Sequence, residues 1–152
     1  MLNEVEILLV EDDPADLELS LHALRRNNLA NRMEVARDGE EALEFIFCRG
    51  RHQGRRFLDP PKLVLLDLKL PKVDGLEVLR QIKSDPRTRA IPVVVLSSSQ
   101  EEKDLGISYQ LGVNSYIQKP VNFDQFRDVV KQLGLYWLLV NETPPYTAFA
   151  GV

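Results

Sequence analysis

Four apolar runs in this chain stop on groups that can do chemistry. Val5 to Val10 ends on Glu11, Asp12 and Asp13, Lys62 to Leu66 on Asp67, Ile91 to Leu96 on Ser97, and Ser115 to Gln118 on Lys119. Acids that hold a divalent cation, one acid free to attack, and a hydroxyl and an ammonium that meet charge on moving oxygens are the parts of a phosphoryl-transfer site. Asp67 is the candidate nucleophile, Lys119 the ammonium and Ser97 the hydroxyl. Like charges about 4 Å apart repel by roughly 4 kcal/mol at an effective dielectric of 20, so Glu11, Asp12 and Asp67 need a cation if they converge. Three oxygen ligands with open positions suit Mg²⁺, or Mn²⁺ in its place, whereas calcium wants more ligands and zinc wants nitrogen or sulfur. Taken singly, each residue also fits a bland role. Asp67 reads as a turn or cap residue, Glu11 and Asp12 as helix-start acids, Ser97 as a turn residue and Lys119 as a solvated lysine. Their recurrence at successive strand ends is what sets them apart.

The elements that must position them follow from the apolar spacing. Lys62 to Leu66, with Pro60-Pro61 before it and Pro71, Asp74 and Gly75 after it, reads as a strand buried on both faces. Val5 to Val10 reads the same way and leads through Asp13, a plausible N-cap, and Pro14 into a helix carrying Leu17, Leu21 and Leu24. A shorter strand follows at Met33 to Ala36, then a helix from about Glu40 to Cys48 with Ala42, Leu43, Ile46 and Phe47 inward. The Asp74-Gly75 turn opens a helix with Leu76, Leu79 and Ile82 inward. Glu101 to Leu111 reads as a weak helix because Gly106 interrupts it and its apolar residues are sparse. The last helix begins near Asn122 or Phe123, with Phe126, Val130, Leu133 and Trp137 on one stripe. Five strands alternating with five helices imply crossover connections and a parallel sheet covered on both faces, a doubly wound α/β sandwich. In the strand order 2-1-3-4-5, the first and third strands are neighbours, which brings their three carboxylates together at the carboxyl rim.

Bulk properties exclude several function classes. The chain has 152 residues, 44% apolar and 28% charged, enough for one domain with its own core. A net charge of −4 gives no general drive toward nucleic acid, and no segment approaches a membrane span. The start carries no secretory signal, and Cys48, the one cysteine, excludes an internal disulfide, so a cytoplasmic location is expected. Neither His22 nor His52 has a cysteine or second histidine at metal-ligand spacing, which argues against zinc. The connection from Arg49 to Arg56 holds four arginines and fits either a solvated loop or a contact for an acidic partner.

The combination Leu9-Val10-Glu11-Asp12-Asp13-Pro14, Leu65-Leu66-Asp67-Leu68-Lys69-Leu70-Pro71 with Asp74-Gly75, Val95-Leu96-Ser97 and Tyr116-Ile117-Gln118-Lys119-Pro120 resembles a two-component response-regulator receiver domain, from about Val5 to Leu139. The resemblance implies a flavodoxin-like three-layer sandwich in which Asp67 accepts a phosphoryl group from a sensor histidine kinase. It further implies that Asp12, Asp67 and the Lys69 backbone carbonyl bind Mg²⁺ directly, with Glu11 acting through water. Ser97 and Tyr116 match a hydroxyl–aromatic switch pair, and Lys119-Pro120 matches a peptide bond that is cis in the family. Lys69 beside the acceptor, and Ser98 and Ser99 after the switch serine, prevent the lifetime of the phosphorylated state from being read by analogy. The short form, the Leu-Pro-Lys-Val-Asp-Gly turn and the aromatic-rich last helix are similar to the stand-alone receivers that partner bacterial phytochrome kinases. The implied role is a phospho-accepting signalling domain rather than an enzyme. Alternatives are a phosphorelay intermediate, a scaffold receiver, or an aspartate-dependent phosphatase of the same fold class, which would ordinarily carry its nucleophile after the first strand.

Residues 1–140 are expected to form the receiver and 141–152 a tail. With about a dozen residues after Val140, no DNA-binding domain is expected, and the signal must leave through a surface. The segment from Gly134 to Val140 is apolar almost all round, and the tail carries Tyr146 and Phe149 among prolines. These features point to a homodimer built on the last two helices, the fifth strand and the tail. A tail folded back on its own chain, or hanging free, is the alternative.

Overall fold

The computed structural model of the chain describes residues 5–26, 28, 32–98, 101–119, 122–142 and 144. Five strands, β1 (Ile7–Val10), β2 (Met33–Ala36), β3 (Leu63–Leu66), β4 (Val93–Ser97) and β5 (Ser115–Gln118), form one sheet in the order β2-β1-β3-β4-β5. All four pairings are parallel, with Val10 beside Leu66 and Leu66 beside Val95. The crossovers are the helices α1 (Pro14–Arg26), α2 (Gly39–Ile46), α3 (Gly75–Ser84) and α4 (Glu102–Leu111), and α5 (Phe123–Leu135) closes the fold. This is the doubly wound three-layer sandwich expected from the alternation.

Side chains two apart on a strand share a face, so each strand divides its residues between two cores. Leu8, Val10, Val64, Leu66, Val93 and Val95 pack with α2 and α3, while Ile7, Leu9, Leu63, Leu65, Val94 and Leu96 pack with α1 and α5. The caps are those the sequence supplies. The Asp13 carboxylate accepts from Ala15 N at 2.9 Å, Asp38 from Glu41 N at 2.8 Å, Asp74 from Leu76 N at 3.4 Å and Asn122 from Asp124 N at 2.8 Å.

One local expectation is corrected. Helix α2 ends at Ile46 rather than near Cys48, because Phe47 closes it and Cys48 takes a left-handed φ of 54°. At the other end of the chain, α5 runs into a π-helical turn, Tyr136–Val140. Across the wider turn Leu138 joins Leu133 in the core, and Trp137, expected on the same stripe, packs half-buried against that cluster. In the basic connection Arg49, Arg51 and Arg56 are exposed, as a solvated loop requires, and each has a local partner. Arg51 donates to Glu44 at 2.8 Å, Arg56 to Asp59 at 3.1 Å, Arg49 lies 5.3 Å from the Phe47 ring centroid, and the Arg55 guanidinium sits 3.6 Å over Phe45 and donates to the Asp59 carbonyl. Of the four, Arg55 is the half-buried one, its guanidinium laid against the α2 residue Phe45.

Helix α4 is the weakly held element its composition implies. Ser108 is its one buried residue, and the Ser108 hydroxyl has no hydrogen-bond partner among the described residues. A buried unpaired hydroxyl costs roughly 1–3 kcal/mol of desolvation. Ser108→Ala removes that cost at nearly constant volume. It is expected to raise unfolding stability by about 1 kcal/mol in urea and to slow amide exchange along α4.

Candidate functional site

The backbone ladder runs one residue past the strand ends. Glu11 N donates to Ala36 O at 3.0 Å, Asp67 N to Val10 O at 3.1 Å and Lys119 N to Ser97 O at 2.7 Å. The two-residue period therefore still holds at the rim. Glu11, Asp67 and Lys119 keep step with Leu9, Leu65 and Ile117 and lie toward the α1 and α5 side, whereas Ser97 and Tyr116 keep step with Val95 and lie toward the other face. Tyr116 packs half-buried against that second core, and Ser97 is fully buried at the end of β4.

Lys119 is the centre of the site. Its Nζ donates to Glu11 Oε1 at 2.6 Å, Asp16 Oδ2 at 2.7 Å and Asp67 Oδ2 at 3.3 Å, which uses all three ammonium hydrogens. Glu11 and Asp67 are buried, and Asp12 is exposed beside them. Glu11, Asp12 and Asp67 each present an oxygen within 4.8 Å of the others, so the three acids converge as the strand order requires. Two backbone amides steady the carboxylates: Asp13 N donates to Glu11 at 3.2 Å and Lys69 N to Asp67 Oδ1 at 3.4 Å. The Lys69 side chain is exposed. The bond from Lys119 to Pro120 and the residue Ser99 lie outside the described residues.

Burial pushes the Glu11 carboxyl up to about 7, with Asp67 adding to the rise and the Lys119 hydrogen bond opposing it. Burial also works against the Lys119 ammonium, but hydrogen bonds to Asp16 and Glu11 and the charge of Asp67 outweigh it and hold Lys119 above the ordinary lysine range. The carboxyl rim of the sheet is thus an anionic cluster closed by one internal cation, with an open, exposed side at Asp12. An all-oxygen set of this kind fits a hard divalent cation and does not fit zinc.

Asp16 is the site residue that the sequence did not single out. It lies in the first turn of α1, four residues after Asp12, where an acid reads as ordinary compensation of the helix dipole. The link appears only in the fold, where α1 covers the face toward which Glu11, Asp67 and Lys119 lie. A second group, Glu34, Glu41 and His52, also brings ligand atoms within 4.8 Å of one another, but Glu41 already accepts from Arg37 N and lies 3.8 Å from the Arg51 guanidinium.

Known proteins match this arrangement over nearly the whole chain. The family described as "Response regulator receiver domain" matches residues 7–131. The response regulator Rcp1 of Synechocystis is 40% identical over 132 residues, covering 87% of this chain and 88% of that protein. Its Mn²⁺-bound crystal structure superposes with a TM-score of 0.83, over 91% of this chain and 97% of Rcp1. The phosphorylated cyanobacterial phytochrome response regulator RcpA is 42% identical, with a TM-score of 0.85 over 93% of this chain and 99% of that one. The bacteriophytochrome response regulator AtBRR is 55% identical, with a TM-score of 0.69 over 90% and 96%. Among the described residues no helix is long and apolar enough to cross a membrane. With the sheet order, the convergent acids and the lysine all in place, and with phytochrome response regulators among the proteins it resembles, the chain belongs to the response regulator receiver domain family.

Proposed function

We propose that Asp67 accepts a phosphoryl group from the phosphohistidine of a sensor kinase in a Mg²⁺-dependent reaction, and that the chain signals through surfaces that respond to the acyl phosphate. The observation that carries this reading is the placement of Lys119 Nζ between the buried carboxylates of Glu11 and Asp67, with Asp12 open to solvent alongside. One Asp67 oxygen attacks phosphorus, the P–N bond to the kinase imidazole breaks, and Lys119 donates to a phosphoryl oxygen as charge builds there. A divalent ion held by Asp12, Asp67 and the Lys69 carbonyl, with Glu11 in support, would neutralise the remaining phosphoryl charge. Ser97 is the hydroxyl that reaches the phosphoryl group from the α4 side, and Tyr116 follows it inward. The Mn²⁺ in Rcp1 and the phosphorylated state of RcpA support the metal and the modification respectively. On this reading the chain turns over only its own acyl phosphate and is a signalling domain rather than an enzyme acting on other substrates.

The test is incubation with acetyl phosphate, with and without Mg²⁺, followed by intact mass. Wild type is expected to gain one phosphoryl adduct only when Mg²⁺ is present, and Asp67→Asn none; an adduct that persists in the variant overturns the assignment. A bacteriophytochrome kinase is the proposed donor, since AtBRR, 55% identical to this chain, is a bacteriophytochrome response regulator. Phosphotransfer that depends on red or far-red illumination of such a kinase supports this, and transfer only from a kinase without a chromophore removes it.

Glu11 makes the metal step pH-dependent. A protonated carboxylic acid is a poor metal partner, so ions and protons compete for the site. With Glu11 pushed up to about 7, apparent Mg²⁺ affinity is expected to rise with pH through about 7 and then level off. Isothermal titration across that range checks it, and an affinity flat with pH would show that Glu11 takes no part.

The outgoing surface is proposed to be a second copy of this chain, with residues 1–140 as the receiver and 141–152 as its arm. Tyr136, Leu139 and Val140 are 50%, 70% and 66% exposed at the end of α5, an apolar edge that association would cover. Most of the arm lies outside the described residues. Truncation after Val140 is expected to lower the molar mass measured by light scattering from dimer to monomer, and an unchanged mass takes the arm out of the interface.

A further inference from the structure

Lys119 has three carboxylate partners, and only two of them belong to the acid cluster. Glu11 and Asp67 converge with Asp12, whereas Asp16 stands apart on α1, with its side chain 25% exposed. Its bond to Lys119 is nonetheless 2.7 Å, against 3.3 Å for the bond from Lys119 to Asp67. The ammonium therefore leans toward the α1 side of the rim and away from the acceptor. Three hydrogens are matched by three carboxylates, so a phosphoryl oxygen arriving on Asp67 must replace one of them.

We propose that Asp16 is a positioning residue that holds Lys119 on the α1 side and competes with the phosphoryl group for the ammonium. This rests on the reading of Asp67 as acceptor. Asp16 is the partner best placed to be displaced. It is the most hydrated of the three, so releasing it from the lysine leaves a carboxylate that water can reach, whereas releasing Glu11 or Asp67 strands a buried charge. The competition is tuned by exposure. A deeply buried Asp16 would never let the lysine go, and a fully exposed one would hold it too weakly to matter. The same bond links the phosphoryl site to α1, since a lysine that turns to the phosphoryl group loosens its hold on the first turn of that helix.

The experiment is a titration with beryllofluoride in saturating Mg²⁺, read by ¹⁹F NMR, for wild type, Asp16→Asn and Asp16→Glu, with autodephosphorylation measured in parallel. Asp16→Asn keeps the shape but removes the charge that competes for the lysine. It is expected to bind beryllofluoride on the order of three- to tenfold more tightly, and its autodephosphorylation rate is expected to differ from that of wild type. Asp16→Glu is expected to return toward wild type. A role confined to stability would lower the melting temperature and weaken beryllofluoride binding, so equal or weaker binding by Asp16→Asn overturns the proposal. Wild type that binds no beryllofluoride overturns instead the assignment of Asp67 as acceptor, and the two failures are separable.

Discussion

Lys119→Ala is expected to cost about 3–5 kcal/mol of folding stability in metal-free buffer at about pH 8, the range for removing one member of a buried ion pair. The size follows from what remains. Glu11 and Asp67 stay buried within reach of one another, and no other cation is bonded to them among the described residues. Two conditions should restore part of the loss. Lowering the pH protonates Glu11, whose carboxyl already sits at about 7 with Lys119 present. The sign follows from linkage: a carboxyl raised above its ordinary value of 4.5 favours the folded state at low pH, and that contribution is lost as pH rises from about 4.5 through about 7. Removing Lys119 deletes an interaction that opposes the rise, so the variant should lose stability more steeply over this interval than wild type. Millimolar Mg²⁺ is the second condition, because a divalent ion replaces the missing charge and binds only the folded chain. Urea unfolding at about pH 5.5 and about pH 8, with and without Mg²⁺, measures all of this. A loss of the same size in every condition would assign Lys119 a packing role and leave the acids to tolerate one another without it.

The same residues show what a sequence carries and what it omits. Strand exits are readable because a parallel strand buried on both faces is a short apolar run, and the chemistry begins where the run stops, as at Leu66-Asp67 and Leu96-Ser97. The convergence of Glu11, Asp12 and Asp67 then needs only the strand order. Asp16 was legible only in retrospect, since an acid in the first turn of a helix is ordinary, and its partner is 103 residues away. The four arginines between Arg49 and Arg56 read as a solvated loop, and three of them are exposed; what composition does not rank is the local partner that Phe45, Phe47, Glu44 or Asp59 supplies to each. At Tyr136–Val140 the apolar residues follow one another without a gap, so spacing alone could not reveal a π-helical turn.

Gly75→Ala is expected to damage both the fold and the site. Gly75 opens α3, and its N–H donates to Leu68 O at 2.9 Å, which presses the helix start against the chain just after the acceptor. A Cβ there would lie 2.4 Å from the Asp67 carbonyl oxygen and 2.5 Å from Leu68 Cα. Both are backbone atoms, and no side-chain rotation relieves the overlap. Either α3 moves off the sheet, at the expense of Val78, Leu79 and Ile82 in the core, or the chain at Asp67 and Leu68 is pushed toward the rim. The expected loss is about 2–4 kcal/mol of stability. Phosphorylation by acetyl phosphate should also slow by roughly 10- to 100-fold, since an ångström of misplacement in a reacting group is enough for that. Gly106→Ala is the control. The same methyl at that helix-interior position meets nothing within 4 Å and is expected to stabilise the chain by about 0.5–1 kcal/mol. The two variants differ only in where the carbon is added, so opposite signs in urea unfolding tie the effect to the contact at Asp67. Wild-type stability and phosphorylation in Gly75→Ala would mean that the start of α3 does not abut the acceptor strand, and that the acid is aligned by the sheet alone.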